Sequence, residues 1–239
     1  MASASEVSAL LKRNWEQVEA RVDAACRQAG RARSEVTLIG ITKYVDAATT
    51  QLLFDTGLLD LGESRPQIIW EKTTHIPNAR WHLVGHLQRN KVARTLPLVS
   101  LIHSVDSQRL LQAINEEAAK INKVQEVLLE LHLTEEVTKS GFTSIEWPLL
   151  PSIVVGLDHI KVTGLMGMAA LDGTPDDARK TFARLRELRD RWQPLFGAPH
   201  RLHHLSMGMT GDFEQAVLEG ATMIRIGSAL FEGLPDHAA

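Results

Sequence analysis

Lys43 stands directly after the apolar run Leu38-Ile39-Gly40-Ile41. An amine at the end of a buried strand loses hydration, which lowers its pKa and favours the neutral form that condenses with a carbonyl. The competing reading is a lysine whose stem packs on apolar surface while its ammonium reaches water. Lys161 is an internal control, because it opens an apolar strand rather than closing one. Near the other end, Ser206-Met207-Gly208-Met209-Thr210-Gly211 reads as a glycine-containing turn entering a helix, and Gly227-Ser228 as a second. Glycines let backbone N–H groups approach an anion, a helix start donates to it, and Ser206 and Ser228 add hydroxyls. Small residues at such junctions also serve simply to make the turn. Arg225, inside Met223-Ile224-Arg225-Ile226-Gly227, needs an acceptor if it is buried. That acceptor is either a carboxylate such as Glu63 or Asp106, or the ring nitrogen of a bound cofactor.

Ten histidines raise the question of a metal. No His-Glu-x-x-His motif is present. His82 and His86 are four apart, but on a strand and the turn after it. His203 and His204 are adjacent on a strand and point to opposite faces. No metal site is expected. Met166 and Met168 alternate on one strand face and read as core, or as a pocket floor. The single cysteine, Cys26, lies in an Ala-rich helical stretch and reads as an apolar filler, without a disulfide or zinc partner.

These residues need a scaffold, and the 239-residue chain is near the length of one α/β barrel. A composition of 44 % hydrophobic and 23 % charged residues is that of an ordinary globular protein. Strand-like runs fall at Val36–Thr42, Leu58–Leu61, Arg80–Gly85, Ser100–Val105, Val124–Leu133, Ile160–Met166, Leu202–Ser206 and Thr222–Gly227. A long leading helix spans Ser5–Ala29. Further helical runs lie at Ala47–Asp55, Arg65–Thr73, Gln88–Leu96, Ser107–Ala119, Ser144–Val155, Thr174–Trp192 and Gly211–Leu218, with a short helix after Gly227. Ala169–Asp176 reads as a loop. Alternating strands and helices imply parallel pairing, and Val, Ile and Leu runs suit strands buried on both faces. The expected fold is a single (β/α)8 TIM-type barrel with an N-terminal helical extension: one domain, 1–239, with residues 1–30 packed on the barrel. An open doubly wound sheet is the alternative. In such a barrel the active face is at the strand C-termini, with a phosphate site after strands seven and eight. Lys43, Gly208 and Gly227 fall at that face, and Lys161 at the opposite one.

The net charge of −3 gives no reason to expect nucleic acid as a partner. The cluster Arg27, Arg31, Arg33 reads as solvated surface. The segment Met1–Leu11 lacks a signal peptide's basic and apolar regions. Leu149–Leu157 is too short to span a bilayer. A cytoplasmic protein without membrane association is expected.

Ile41-Thr42-Lys43, Gly62-Glu63, Trp81 to Lys91 (Trp-His-Leu-Val-Gly-His-Leu-Gln-Arg-Asn-Lys) and His103-Ser104-Val105-Asp106 follow one another in the order of a known family. Lys139-Ser140-Gly141, Gly164-Leu165-Met166-Gly167-Met168, Leu205-Ser206-Met207-Gly208-Met209 and Arg225-Ile226-Gly227-Ser228 continue it. From about Val36 to Phe231 the chain resembles the pyridoxal phosphate homeostasis protein family, itself similar to the barrel domain of alanine racemase. The resemblance implies pyridoxal 5′-phosphate (PLP) held as a Schiff base on Lys43. It implies that Ser206, Gly208, Gly227 and Ser228 hold the phosphate and that Arg225 faces the pyridine nitrogen. Ser64-Arg65-Pro66 stand where the family has Asn-Tyr, and Arg89 replaces a small polar residue.

The resemblance also implies a role in vitamin B6 homeostasis, with PLP-dependent apoenzymes as partners. A racemase needs a second proton-transfer group, which alanine racemase takes from a tyrosine of a separate domain. Eight βα units leave no room here for such a domain. The single tyrosine, Tyr44, follows Lys43 and is expected to point the other way. An arginine at the ring nitrogen cannot keep it protonated, so the ring is a weaker electron sink. A monomeric, non-enzymatic carrier is expected. The alternatives are a slow amino-acid racemase using His82 or His86 as its base, and a barrel for a phosphorylated metabolite with Lys43 as an electrostatic ligand.

Overall fold

A computed structural model describes residues 3–134 and 140–234. Eight strands form a closed parallel barrel in sequence order: β1 Thr37–Ile41, β2 Asp60–Glu63, β3 Arg80–Leu83, β4 Leu101–Val105, β5 Gln125–Glu130, β6 Ile160–Met166, β7 His204–Ser206 and β8 Met223–Ile226. Closure is explicit: Leu38 pairs with Ile224 and Ile39 with Arg225. The open-sheet alternative is excluded.

The helices are α1 Ala4–Gln28, α2 Ala47–Asp55, α3 Pro66–Lys72, α4 Val92–Thr95, α5 Gln108–Lys120, α6 Leu150–Ile153, α7 Pro175–Trp192 and α8 Phe213–Leu218. Ser3 and Glu6 close a capping box at the start of α1, so its first N–H donors are satisfied. Its buried stripe, Leu11, Val18, Val22, Ala25 and Cys26, faces α2 and α8. Gly30 ends the segment at φ +66°. The nearby arginines are each paired: Arg27 with Asp23, Arg31 with Glu35 and Arg33 with Glu19.

Strand alternation divides the side chains between two layers. Ile39, Ile41, Leu101, Leu128, Met166 and Met223 pack together inside the barrel. The larger apolar layer lies between strands and helices, with residues such as Leu61, Ile69, Ile102, Phe182, Ile224 and Ile226. Gly62 is on the inner face, where a β-carbon would meet Ile41 Cδ1 at 2.6 Å.

Several segments differ from the expectation: the helix read at Gln88–Leu96 is a 3-10 turn, Arg89–Lys91, followed by the single turn of α4, and β5 stops at Glu130. The helix at Ser144–Val155 is only a 3-10 turn, Trp147–Leu149, followed by α6. Pro148 and Pro151 lack the N–H a continuous helix needs and sit only in first turns. Strand β2 lies two residues later than expected, so Gly62 and Glu63 belong to the strand. Among the described residues no helix is long and apolar enough to cross a membrane.

Candidate functional site

A cavity of about 790 Å³ opens at the C-terminal mouth of the barrel. Its amine is Lys43, half-buried and two residues beyond the end of β1. Its guanidinium is Arg225 of β8, almost wholly buried. Gly227 and Ser228 line the same cavity, with Thr210 and Gly211 beside them from the turn after β7. The two turns are tied together. The Gly227 N–H donates to Thr210 Oγ1 at 3.3 Å, and the Arg225 N–H donates to the Gly208 carbonyl at 3.0 Å. Ile41, Val84, Met166, Met168 and Met209 supply apolar wall.

Among the described residues no carboxylate is hydrogen-bonded to Arg225. Glu63 faces the helix layer, where it accepts from Lys72 at 2.6 Å, and Asp106 pairs with His86 at 2.9 Å. Arg225 instead donates from Nη1 to Ser206 Oγ at 2.6 Å and from Nη2 to the Gly167 carbonyl at 3.2 Å. Burial lowers its pKa to about 10, against the opposing pull of the Glu130 and Asp212 charges. The Glu130 carboxyl is itself pushed up by burial, more than the 2.8 Å hydrogen bond from Ser140 holds it down. Lys139, read beside Ser140, lies outside the described residues.

Of the six residues singled out, Lys43, Arg225, Gly227 and Ser228 line the cavity; Ser206 and Gly208 do not. Ser206 is fully buried, bonded to Arg225 and to His103. Gly208 has φ +91°, and a β-carbon there would sit 2.6 Å from Ala216 Cβ and 2.9 Å from Phe213 Cα. It lets the turn seat on α8. Asp212 closes that turn by accepting from the Met209 N–H at 2.6 Å, which delays α8 to Phe213.

Tyr44 corrects an expectation. It lines the same cavity as Lys43, whose Nζ lies 4.6 Å from the Tyr44 ring centroid. Strict alternation does not apply, because β1 ends at Ile41 and both residues sit in a turn. Ser64 also reaches the cavity. A β-carbon on Gly85 would lie 2.2 Å from the Ser64 carbonyl oxygen, so only glycine lets these two loops touch. His82 and His86 do not line the cavity. Lys161 pairs with Glu126 at 2.7 Å at the start of β6, away from the mouth. Among the described residues no three His, Cys, Asp or Glu side chains are grouped to hold a metal ion.

The cavity is apolar-walled, with one amine, one buried guanidinium and glycine turns carrying hydroxyls. That donor set can accept a phosphorylated ligand, with Lys43 able to meet a carbonyl on it, at the mouth of a (β/α)8 barrel. The chain belongs to the pyridoxal phosphate homeostasis protein family, within the alanine racemase N-terminal domain family whose model matches residues 9–235. It is 39 % identical over 213 residues to the pyridoxal phosphate homeostasis protein of Aquifex aeolicus, covering 88 % of this chain and 92 % of that one. A crystal structure of an unknown protein from Bifidobacterium adolescentis is similar, with TM-score 0.88 and 32 % identity, covering 94 % of this chain and 96 % of that one. PipY of Synechococcus elongatus, solved with and without PLP bound, has TM-score 0.77 and 30 % identity, covering 88 % of this chain and 99 % of that one.

Proposed function

We propose that this chain binds PLP through Lys43 and serves vitamin B6 homeostasis in the cytoplasm, as a single-domain monomer that carries the cofactor and passes it to apoenzymes. The observation that carries this reading is the placement of the Lys43 amine and the Arg225 guanidinium in one cavity, beside the paired turns of Thr210-Gly211 and Gly227-Ser228. The bound cofactor would supply an aldehyde and an electron-withdrawing ring. Lys43 would hold the cofactor through its amine, which projects into the cavity. Gly211 and Ser228 hold the phosphate through backbone N–H groups, Thr210 and Ser228 add hydroxyls, and Gly227, whose own N–H is given to Thr210 Oγ1, lets the anion approach. Ser206 and Gly208 support them from one layer below. Arg225 meets the ring nitrogen as a donor that keeps its own proton.

Carriage rather than turnover is supported by the lining. Among the described residues its ionisable side chains are Lys43, Tyr44 and Arg225. Tyr44 stacks on the Lys43 amine rather than standing across the cavity from it, and a two-base exchange needs groups on opposite faces. The proximity of Tyr44 is also the one observation that favours the slow-racemase alternative. The test is an absorbance titration with PLP on wild type and Lys43→Ala, followed by a racemisation assay with alanine. A near-visible band in wild type alone, without racemisation, is expected. Racemisation lost in Tyr44→Phe would replace the carrier by the enzyme, and no band would leave the phosphorylated-metabolite reading.

A further inference from the structure

A line of buried polar side chains crosses the barrel interior from its base to the cavity. Asp60 Oδ1 lies 3.0 Å from His82 Nε2, and His82 Nδ1 lies 2.9 Å from His103 Nε2. His103 Nδ1 lies 2.8 Å from Ser206 Oγ, and Ser206 Oγ accepts from Arg225 at 2.6 Å. Each member comes from a different strand, and all five are buried. At the base, exposed Arg80 donates twice to Asp60, at 2.8 and 2.5 Å.

The chemistry of the ends fixes the protons between them. Arg225 can only donate, so Ser206 Oγ is an acceptor there. Asp60 can only accept when ionised. Burial pushes its carboxyl up, but hydrogen bonds from Arg80 and His82 outweigh that and hold it at about 2. His82 therefore carries its proton on Nε2. Burial, with the Arg225 charge beside it, keeps His103 neutral by lowering its pKa well below the usual value. One arrangement of two neutral rings satisfies every contact. Arg225 donates to Ser206, Ser206 to His103 Nδ1, His103 Nε2–H to His82 Nδ1, and His82 Nε2–H to Asp60. The Ser206 proton is thereby directed away from the cavity.

We propose that Asp60, His82, His103 and Ser206 form one directional relay that positions Arg225 in the cavity, so that residues at the barrel base set how firmly the ligand ring is held. The relay rests on the PLP-binding reading for its consequence and on the protein alone for its geometry. Ser206, His103, His82 and Asp60 are positioning residues, acting on the ligand through Arg225.

The test has two arms on the full chain. Long-range ¹⁵N–¹H correlation of the histidine rings at pH 7.5, without ligand, reads the protons directly. Both His82 and His103 are expected as neutral Nε2–H tautomers. A His103 Nδ1–H tautomer or a His82 imidazolium would overturn the relay. The second arm titrates PLP against Ser206→Ala, Ser206→Thr, His103→Phe and Asp60→Asn, with folding verified by circular dichroism. Ser206→Ala and His103→Phe are expected to raise Kd about tenfold, the size of one lost hydrogen bond to a charged group, and to shift the near-visible band. Ser206→Thr restores both. The near-isosteric Asp60→Asn shifts the band in the same direction by less. Folded variants with unchanged band and Kd would overturn the positioning role. A wild type with no band would instead sink the cofactor reading, while the tautomer spectrum would still decide the relay.

Discussion

Lys72 donates to Glu63 at 2.6 Å with both side chains closed off from water, and the same ammonium holds the Thr42 carbonyl at 2.8 Å, one residue before Lys43. Thr42 Oγ1 completes the knot by donating to Glu63 at 2.6 Å. The pair thus anchors the end of β1 from which the Lys43 amine projects. Removing one charge leaves the other buried alone, at a cost of about 3–5 kcal/mol. Lys72→Met is expected to lower stability by that amount in urea unfolding, and Lys72→Met with Glu63→Gln to recover most of it. Equal losses in the single and double variants would show that the ion pair is not what holds this corner.

The two glycines of the turn after β7 are expected to behave oppositely. Gly208→Ala meets the Phe213 backbone and needs a positive φ, so it is expected to cost about 1–3 kcal/mol. It would also weaken PLP binding by moving Thr210. At Gly211 a β-carbon finds nothing within 4 Å, so Gly211→Ala should stay within about 0.5 kcal/mol of wild type. Melting curves of the two variants decide this. A tolerated Gly208→Ala would mean the turn is not seated on α8 in the way described.

Buried neutral His103 makes stability depend on pH. Its folded pKa lies well below 6.5, so below about that pH the unfolded chain takes up a proton that the folded chain refuses. Its contribution is complete above 6.5 and is lost as pH falls, by up to about 1.4 kcal/mol per pH unit. Burial shifts His200 and His204 in the same direction. Urea midpoints between pH 7.5 and 5.5 should fall for wild type and fall less steeply for His103→Phe. Parallel slopes would place the titration elsewhere.

Much of the scaffold was legible, and the reasons it was not elsewhere are local. The limits of α2 and β6 match the residues read from sequence at both ends. Strand β2 was misplaced because Leu58-Leu59 carry the apolar signal, whereas the strand holds Asp60 and Glu63. Those charges are tolerated by His82, Arg80 and Lys72, partners that lie on other elements. Lys43, Arg225, Gly227 and Ser228 are singled out by their places at strand ends and in the last two turns of a barrel together with the family resemblance, and the four line one cavity. Sequence directs the Ser206 hydroxyl toward the ligand, but Arg225 on the adjacent strand and His103 across the barrel claim it. The histidines were weighed as ligands close in sequence, while the contact that matters joins His82 to His103, on adjacent strands. Strand alternation would have exposed it, since His82, His103, Ser206 and Arg225 all fall on the inner face.

The most direct test of the central claim is to load the protein with PLP, reduce it with borohydride, and locate the modified lysine by peptide mass. The account predicts one reduced adduct, on Lys43, absent from Lys43→Ala and accompanied by loss of the near-visible band. An adduct on another lysine, or a spread over surface lysines with Lys43 unmodified, would contradict it.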